Sequence, residues 1–463
     1  MLNINPTIFH AYDVRGIYPK EITEEAAYAI GRGFAKYLIN DLKKALPFSV
    51  VLGQDMRGSS PFLAREVVRG INDEGVDVTD IGRVPTPAFY HAVAFKDFAG
   101  GVMVTASHNP KEYNGFKFCA EKAAPIGEGT GLERIREYSG VESETKLSNK
   151  ARGHLSTLGG VVAEYVARDL SFADLKTIKK LKIAADPANA MGAVYLEELF
   201  GKIDCDPIKI NWQLNGNMPI HEANPLKIET LQQIQEVIRN ERADFGIATD
   251  GDGDRIVFLD EKGQVMPPYI ILGLVAQALL KKYPGARIGY DLRSSRVVKE
   301  MIEAAGGEAV ETKVGHSNIK VLMKEKDILF AGELSSHYYF KENYNFESPV
   351  FVTAQLLAIR YELDRPFSEI WEPRKKYAQS GEINFDVADK DAVLAKLEKK
   401  YADGTISKPD GLKVDYQDWW FSARPSNTEN VLRLNLEAAD ETAVKRKVEE
   451  LRALIVGEKN TER

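Results

Sequence analysis

The chain of 463 residues holds only 2 cysteines, Cys119 and Cys205. Two thiols make no disulfide framework, and this pair lacks metal-site spacing, so both are expected to stay thiols in a reducing compartment. The segment from Met1 to Phe9 has no basic stretch and no apolar run, so no secretory signal is expected. Long hydrophobic runs are absent too. The longest, Tyr269 to Leu280, lies between Pro268 and Lys281. A membrane span needs about 20 apolar residues, so this run reads as a core helix. Positive charge is not in excess: 61 Lys and Arg face 68 Asp and Glu, for a net charge of -7. That balance excludes a general nucleic-acid or anionic-membrane surface. Any anionic ligand therefore needs a local basic pocket. The expectation is a cytoplasmic protein with neither nucleic acid nor membrane as partner, and no oligomeric state follows from the sequence.

What is present is an ordinary globular composition, 44% hydrophobic and 28% charged. At roughly 100–200 residues per domain, the length suggests three or four domains. Three segments share a pattern: a β-branched run ending near an Asp, a polar turn, then an amphipathic helix. They are Ser49 to Asp55 with a helix from about Pro61 to Asn72, Leu181 to Asp186 with a helix from Gly192 to Phe200, and Arg287 to Asp291 with a helix from Ser295 to Ala305. Gly75, Gly201 and Gly306 fit helix stop signals. Alternating strand and helix periods predict α/β units. The C-terminal part reads differently, as strands at Glu382 to Val387, Leu412 to Tyr416, Asp418 to Ala423 and Val431 to Leu436, with helices at Lys390 to Tyr401 and Thr442 to Val456. The expected fold is α/β: three similar mixed-sheet domains over residues 1–152, 153–264 and 265–371, plus a smaller α+β domain over 372–463. The charged, proline-bearing stretch Pro366 to Lys376 would link the last domain to the rest.

Ser107 sits in Thr105-Ala106-Ser107-His108-Asn109-Pro110, between the apolar stretch Gly101 to Val104 and Tyr113-Asn114-Gly115-Phe116-Lys117. A serine in a tight loop at a strand end, with His108 and Lys117 near, is a candidate phosphoryl carrier. Such a nucleophile needs exposure and a nearby proton acceptor. A surface loop serine is the plain alternative.

Asp250-Gly251-Asp252-Gly253-Asp254-Arg255 sets three carboxylates at alternate positions. The glycines let the backbone turn tightly, so the carboxylates can converge on one ion. Oxygen-only ligands suit a hard cation such as Mg2+, and Arg255 adds a charge able to reach a phosphate. An acidic surface turn is one rival. An EF-hand is excluded, because Arg255 stands where that loop needs glycine and Ile256 to Leu259 reads as a strand.

Arg424-Pro425-Ser426-Asn427-Thr428-Glu429 gathers a guanidinium, two hydroxyls and an amide between two predicted strands. That donor set suits a phosphate; a polar β-hairpin is the other reading. Gly332-Glu333-Leu334-Ser335-Ser336-His337 follows the apolar run Ile328 to Ala331. Glu333 and Ser335 are two apart and on an extended strand would share a face. Gly315-His316-Ser317-Asn318 follows another strand. Taken singly, His108, His316 and His337 each carry the ordinary expectation of a structural histidine.

Together and in order, these residues resemble the α-D-phosphohexomutase family, of the bacterial phosphomannomutase/phosphoglucomutase type. Tyr12-Asp13-Val14-Arg15-Gly16 looks like its opening motif, and the stretches at 105–110, 250–255, 332–337 and 424–429 like its serine, metal, sugar and phosphate loops. The resemblance implies four domains around one central cleft. It implies that Ser107 carries a phosphoryl group and, with Asp250, Asp252 and Asp254, holds Mg2+. It gives Lys117, His108, His316, His337 and Arg15 to proton transfer and charge stabilisation, and Glu333 and Ser335 to the sugar hydroxyls. Arg424, Ser426, Asn427 and Thr428 would grip the distal phosphate, with Arg255 and Arg293 as further basic contacts. The implied reaction interconverts hexose 1-phosphate and 6-phosphate, of mannose or glucose, through a hexose 1,6-bisphosphate that also serves as activator. A phosphoserine carries about -1.5 to -2 charges, so beside three carboxylates it requires a cation.

The chain departs from the family pattern at Ser336, where glycine is common, at Pro187-Ala188-Asn189-Ala190, which lacks the usual glycines, and at Glu347-Ser348-Pro349. Other readings of the same residues are a phosphoglucosamine mutase, a sugar phosphatase and a silent sugar-phosphate binder.

Overall fold

The computed structural model describes residues 4–140, 151–175, 180–425 and 431–456. Three of its four sheets follow one plan. In the first, Ser49–Gln54, Asp77–Arg83 and Gly100–Val104 are parallel and Tyr113–Ala120 returns antiparallel. In the second, Leu181–Asp186, Cys205–Lys209 and Phe245–Thr249 are parallel and Ile256–Leu259 returns. In the third, Arg287–Asp291, Glu308–Thr312 and Ile328–Gly332 are parallel and Tyr338–Phe340 returns. Each has the spatial order fourth, third, first, second. The first sheet adds Val14–Ile17 and Ala124–Ile126 beside its fourth strand and Leu155–Thr157 beside its second.

The parallel strands are short and apolar, with Val50, Val51, Leu52, Ile183, Ile247 and Ile288 at most 1% exposed. Crossover helices cover both faces, as parallel pairing requires. The helices Ser60–Asp73, Gly192–Phe200 and Arg296–Ala304 follow the first strands, close to the expected bounds. Gly75 and Gly306 take the left-handed conformation that stops a helix, at φ +86° and +79°. Gly201 does not; it stays helical at φ -70°. One apolar core runs without a break from Val51 to Trp371 and joins elements of all three sheets.

The fourth sheet is antiparallel, in the order Ala378–Asp386, Val431–Ala438, Trp419–Pro425, Leu412–Asp415, Thr405–Ser407. The last of these strands had no sequence signal. With the helices Lys390–Lys400 and Glu441–Val456 it encloses its own core, where Leu432, Leu434 and Leu436 lie inward as the alternation predicts. The stretch expected as a linker is not bare: Phe367–Trp371 is helical, and Phe367, Ile370 and Trp371 are buried. The apolar run at Tyr269 forms part of the helix Pro268–Lys282. Among the described residues no helix is long and apolar enough to cross a membrane.

The shared plan fixes where chemistry collects. The turn between third and fourth strands carries Ser107 in the first sheet, the Asp trio in the second and Glu333 to His337 in the third.

Candidate active site

The serine turn is held from below by one side chain that sequence reasoning overlooked. Arg57, 1% exposed, donates through Nη2 to the carbonyls of Ser107 (2.9 Å) and Asn109 (2.7 Å) and through Nη1 to those of Pro110 (2.7 Å) and Tyr113 (3.0 Å). Asp55 fixes its other edge, accepting from Arg57 Nε at 3.1 Å. This clamp supports Ser107 in the left-handed region at φ +51°, a conformation that costs roughly 1–3 kcal/mol for a residue other than glycine. Arg15 reaches the same turn, donating from Nη1 to Asn109 Oδ1 at 2.6 Å, and is itself paired with Asp13.

Ser107 was expected to be exposed. It is 2% exposed, because the metal turn of the second sheet lies over it. A Cβ on Gly251 would sit 2.2 Å from the Ser107 carbonyl oxygen, so only glycine fits there. Ser107 Oγ donates to Asp250 Oδ2 at 3.0 Å and lies 3.2 Å from His108 Nδ1.

Asp250, Asp252 and Asp254 are buried, and one oxygen of each lies within 4.8 Å of the others, a grouping that can hold a metal ion. The donors fit a hard divalent cation: all are oxygens, and Asp252 Oδ1 is buried without a hydrogen-bond partner. Burial first, then Asp254 and Asp252, pushes the Asp250 carboxyl up; a bound cation would reverse that. Lys117 Nζ donates to Asp252 Oδ2 at 2.7 Å and Asp254 Oδ2 at 2.5 Å. Burial opposes its charge, but these two carboxylates outweigh burial and hold the ammonium form. Thr86 Oγ1 donates to Asp252 Oδ2 at 2.7 Å. Arg255 stands at the edge, its Nε 3.9 Å from Asp250 Oδ2. The strand Ile256–Leu259 follows directly, consistent with rejecting an EF-hand.

His337 joins the turn of Asp250 to Arg255 to the turn of Glu333 to His337. Its Nε2 lies 3.2 Å from Asp254 Oδ1, and its Nδ1 lies 2.9 Å from Ser335 Oγ and 3.3 Å from Glu333 Oε2. Burial disfavours the imidazolium, yet Asp254 and Glu333 prevail and push its pKa up to about 9. His108 and His316 go the other way. Burial, with Arg255 and Arg15 around His108 and with Lys320 and Lys117 around His316, holds both below the usual range. Of these three histidines, His337 is biased towards the cation and His108 and His316 towards the neutral form.

Glu333 and Ser335 do converge, but not because they share a strand face. They lie in a turn closed by the Ser336 N–H donating to the Glu333 carbonyl at 3.1 Å. Ser336 has φ +64°, which explains why glycine suits that position. Glu333 also accepts from Tyr339 Oη at 2.6 Å and from the Gly315 N–H at 2.9 Å, which brings His316 alongside. Glu347, one of the departures, is buried against Lys320, its Oε2 2.7 Å from Lys320 Nζ, with its Oε1 4.0 Å from His316 Nδ1.

Arg293 and Arg424 are each held by a carboxylate. Arg293 is paired with Asp291, and Arg424 donates to Glu382 at 2.6 Å. Arg293, Ser335 and Glu382 line a cavity of about 460 Å3 between the third and fourth sheets. Ser426, Asn427 and Thr428 lie outside the described residues. Arg57 had a sequence signal that went unread: Asp55-Met56-Arg57 and Asp291-Leu292-Arg293 are the same Asp-x-Arg at the same strand end.

Known proteins share this arrangement along the whole chain. Residues 6–145, 163–263 and 267–377 match the phosphoglucomutase/phosphomannomutase α/β/α domains I, II and III, and residues 382–454 match the C-terminal domain. A phosphomannomutase of Methanocaldococcus jannaschii is 37% identical over 97% of each chain. One of Escherichia coli is 34% identical over 97% of this chain and 99% of its own. A crystal structure of a phosphoglucomutase/phosphomannomutase family protein from Burkholderia thailandensis superposes with a TM-score of 0.88 at 31% identity, covering 97% of both chains. The chain belongs to the phosphoglucomutase/phosphomannomutase family.

Proposed function

We propose that this family member is a phosphohexomutase that interconverts the 1- and 6-phosphates of mannose or glucose, with Ser107 as its phosphoryl carrier. The observation that carries the reading is the placement of Ser107 Oγ, 3.0 Å from Asp250 and beside the neutral His108, in a turn clamped by Arg57. Phosphoryl transfer is served mainly by positioning and charge neutralisation, and this site is built for both.

In the first transfer the Ser107 Oγ–P bond breaks, an O–P bond to the sugar hydroxyl forms, and the hydroxyl's proton passes to the protein. Neutral His108 and His316 are the nearby acceptors; His337 and Lys117, held charged, stabilise the phosphoryl oxygens. The hexose 1,6-bisphosphate then turns over in the cleft. In the second transfer the other phosphate's O–P bond breaks, Oγ–P forms again, and the proton returns to the freed sugar oxygen. Asp250, Asp252, Asp254 and the serine phosphate would hold Mg2+, which supplies charge neutralisation at the transferring group. Glu333 and Ser335 orient the sugar hydroxyls. Arg293 and Arg424, with Ser426, Asn427 and Thr428, take the distal phosphate, and Arg15 and Arg255 steady the charge near Ser107. Added hexose 1,6-bisphosphate acts as activator by restoring the phosphoserine.

Phosphorus NMR tests this. With Mg2+, a trace of glucose 1,6-bisphosphate and mannose 1-phosphate or glucose 1-phosphate, the 6-phosphate is expected with no free phosphate. Inorganic phosphate alone would make the site a phosphatase; turnover of glucosamine phosphate alone would move the substrate class.

A further inference from the structure

Glu382 has no part in the reading above, yet it stands where the basic groups meet. Its carboxylate accepts from Arg424 Nη2 at 2.6 Å, lies 3.7 Å from Arg293 Nη1 across the cleft, and lies 3.6 Å from Arg433 Nη1. The backbone puts it there. The ladder between Ala378–Asp386 and Val431–Ala438 shifts register between Gln379 and Glu382, with Gly381 at φ +68°. A bulge of this kind re-aims the next side chain, and here it turns Glu382 to the cavity shared with Arg293 and Ser335.

Arg424 and Arg433 face each other directly on neighbouring strands. Like charges in that position oppose pairing; Glu382 lies against both arginines, and Asp410 Oδ2 stands further off, 3.8 Å from Arg424 Nη1. Arg424 Nε is buried and without a hydrogen-bond partner, so the guanidinium keeps a donor in reserve.

We propose that Glu382 is a built-in counter-anion of the phosphate pocket. It holds Arg293 and Arg424 until a substrate phosphate takes over their donors, and it thereby limits how tightly that phosphate is kept. This rests on the mutase reading, in which a bisphosphate must let go and turn around in mid-cycle. An internal carboxylate that returns to the arginines makes such release an exchange of partners instead of the exposure of buried, unpaired guanidinium groups.

Calorimetric titration of inorganic phosphate into the full-length protein tests it without requiring turnover. Glu382→Gln is expected to bind phosphate roughly threefold tighter, a like-charge contact of surface strength. In turnover assays the variant's KM for both hexose phosphates falls by a similar factor while kcat does not rise. Glu382→Asp, which keeps the charge, stays close to the parent. Equal or weaker phosphate binding by Glu382→Gln overturns the proposal, and so does an equal shift in Glu382→Asp, which would trace the effect to packing. If the parent isomerises no hexose phosphate but Glu382→Gln still binds phosphate more tightly, the mutase reading fails and this one stands.

Discussion

Asp55 with Arg57 and Asp291 with Arg293 occupy the same place in two sheets of one plan, and they are put together alike. In each, the Asp Oδ1 accepts the N–H of the arginine two residues on, and the carboxylate accepts from that arginine's Nε. Beyond this the two differ. Arg57 spends its remaining donors on four carbonyls of its own sheet's turn. Among the described residues Arg293 finds no such carbonyls, and it faces a cavity and Glu382. One local motif thus makes a scaffold where the neighbouring turn meets it and an arm facing a cavity where it does not. The second sheet has the Asp alone: Asp186 accepts from the Ala188 N–H, and His221 and Asn211 take the arginine's role.

The largest test removes what the scaffold holds. Ser107→Ala is expected to lose all turnover in the NMR assay while keeping its melting temperature within a few degrees; measurable activity would end the carrier assignment. Next comes the clamp. Arg57→Ala leaves Asp55 buried and unpaired, for a loss of about 3–5 kcal/mol in urea unfolding. Arg57→Lys keeps the charge but not the geometry for four carbonyls. Its kcat should fall on the order of 100-fold with little change in KM. The arm should behave in the opposite sense. Arg293→Lys is expected to raise KM about tenfold, the loss of one charge-assisted hydrogen bond, with kcat and stability nearly unchanged. If both lysine variants change the same kinetic constant, the distinction between scaffold and arm collapses.

The smallest effect on turnover belongs to a buried group outside both pairs. Burial pushes the His91 pKa down to about 4, below its usual value near 6.5. The folded state therefore resists a proton that the unfolded chain accepts. The contribution is fully present above pH 6.5 and is lost as pH falls towards 4. Relative to His91→Gln, the parent should lose stability over that window in urea titrations, while the two share the same kcat at pH 7.5.

Much of this was legible beforehand. The threefold repeat, the metal triad and the serine turn follow from strand-end Asp residues, alternate Asp-Gly spacing and Ser-His in sequence, all of them local signals. The exposure of Ser107 was misjudged, because its cover, Gly251, comes from another sheet. Glu333 and Ser335 come together in a turn and not on a strand face, since a turn with φ +64° at Ser336 looks like a strand when only spacing is visible. Ala188 and Asn189 are likewise left-handed, at φ +53° and +58°, so the turn persists without the expected glycines. The Asp-x-Arg signal marks Arg57 but not what it holds, and nothing local marks Glu382, because their partners lie far along the chain: 50 residues for Ser107 and 42 for Arg424.

The hydrogen bond from Ser107 to Asp250 spans 143 residues, and that from Lys117 to Asp254 spans 137. Each sheet can collapse on local contacts before either bond can close, and long-range closure is the slow part of folding. On refolding from urea, helix signal should therefore return in an early phase and catalytic competence in a later one, as the sheets dock. A nascent chain released at residue 200 would hold Ser107 and Arg57 but none of Asp250, Asp252 and Asp254.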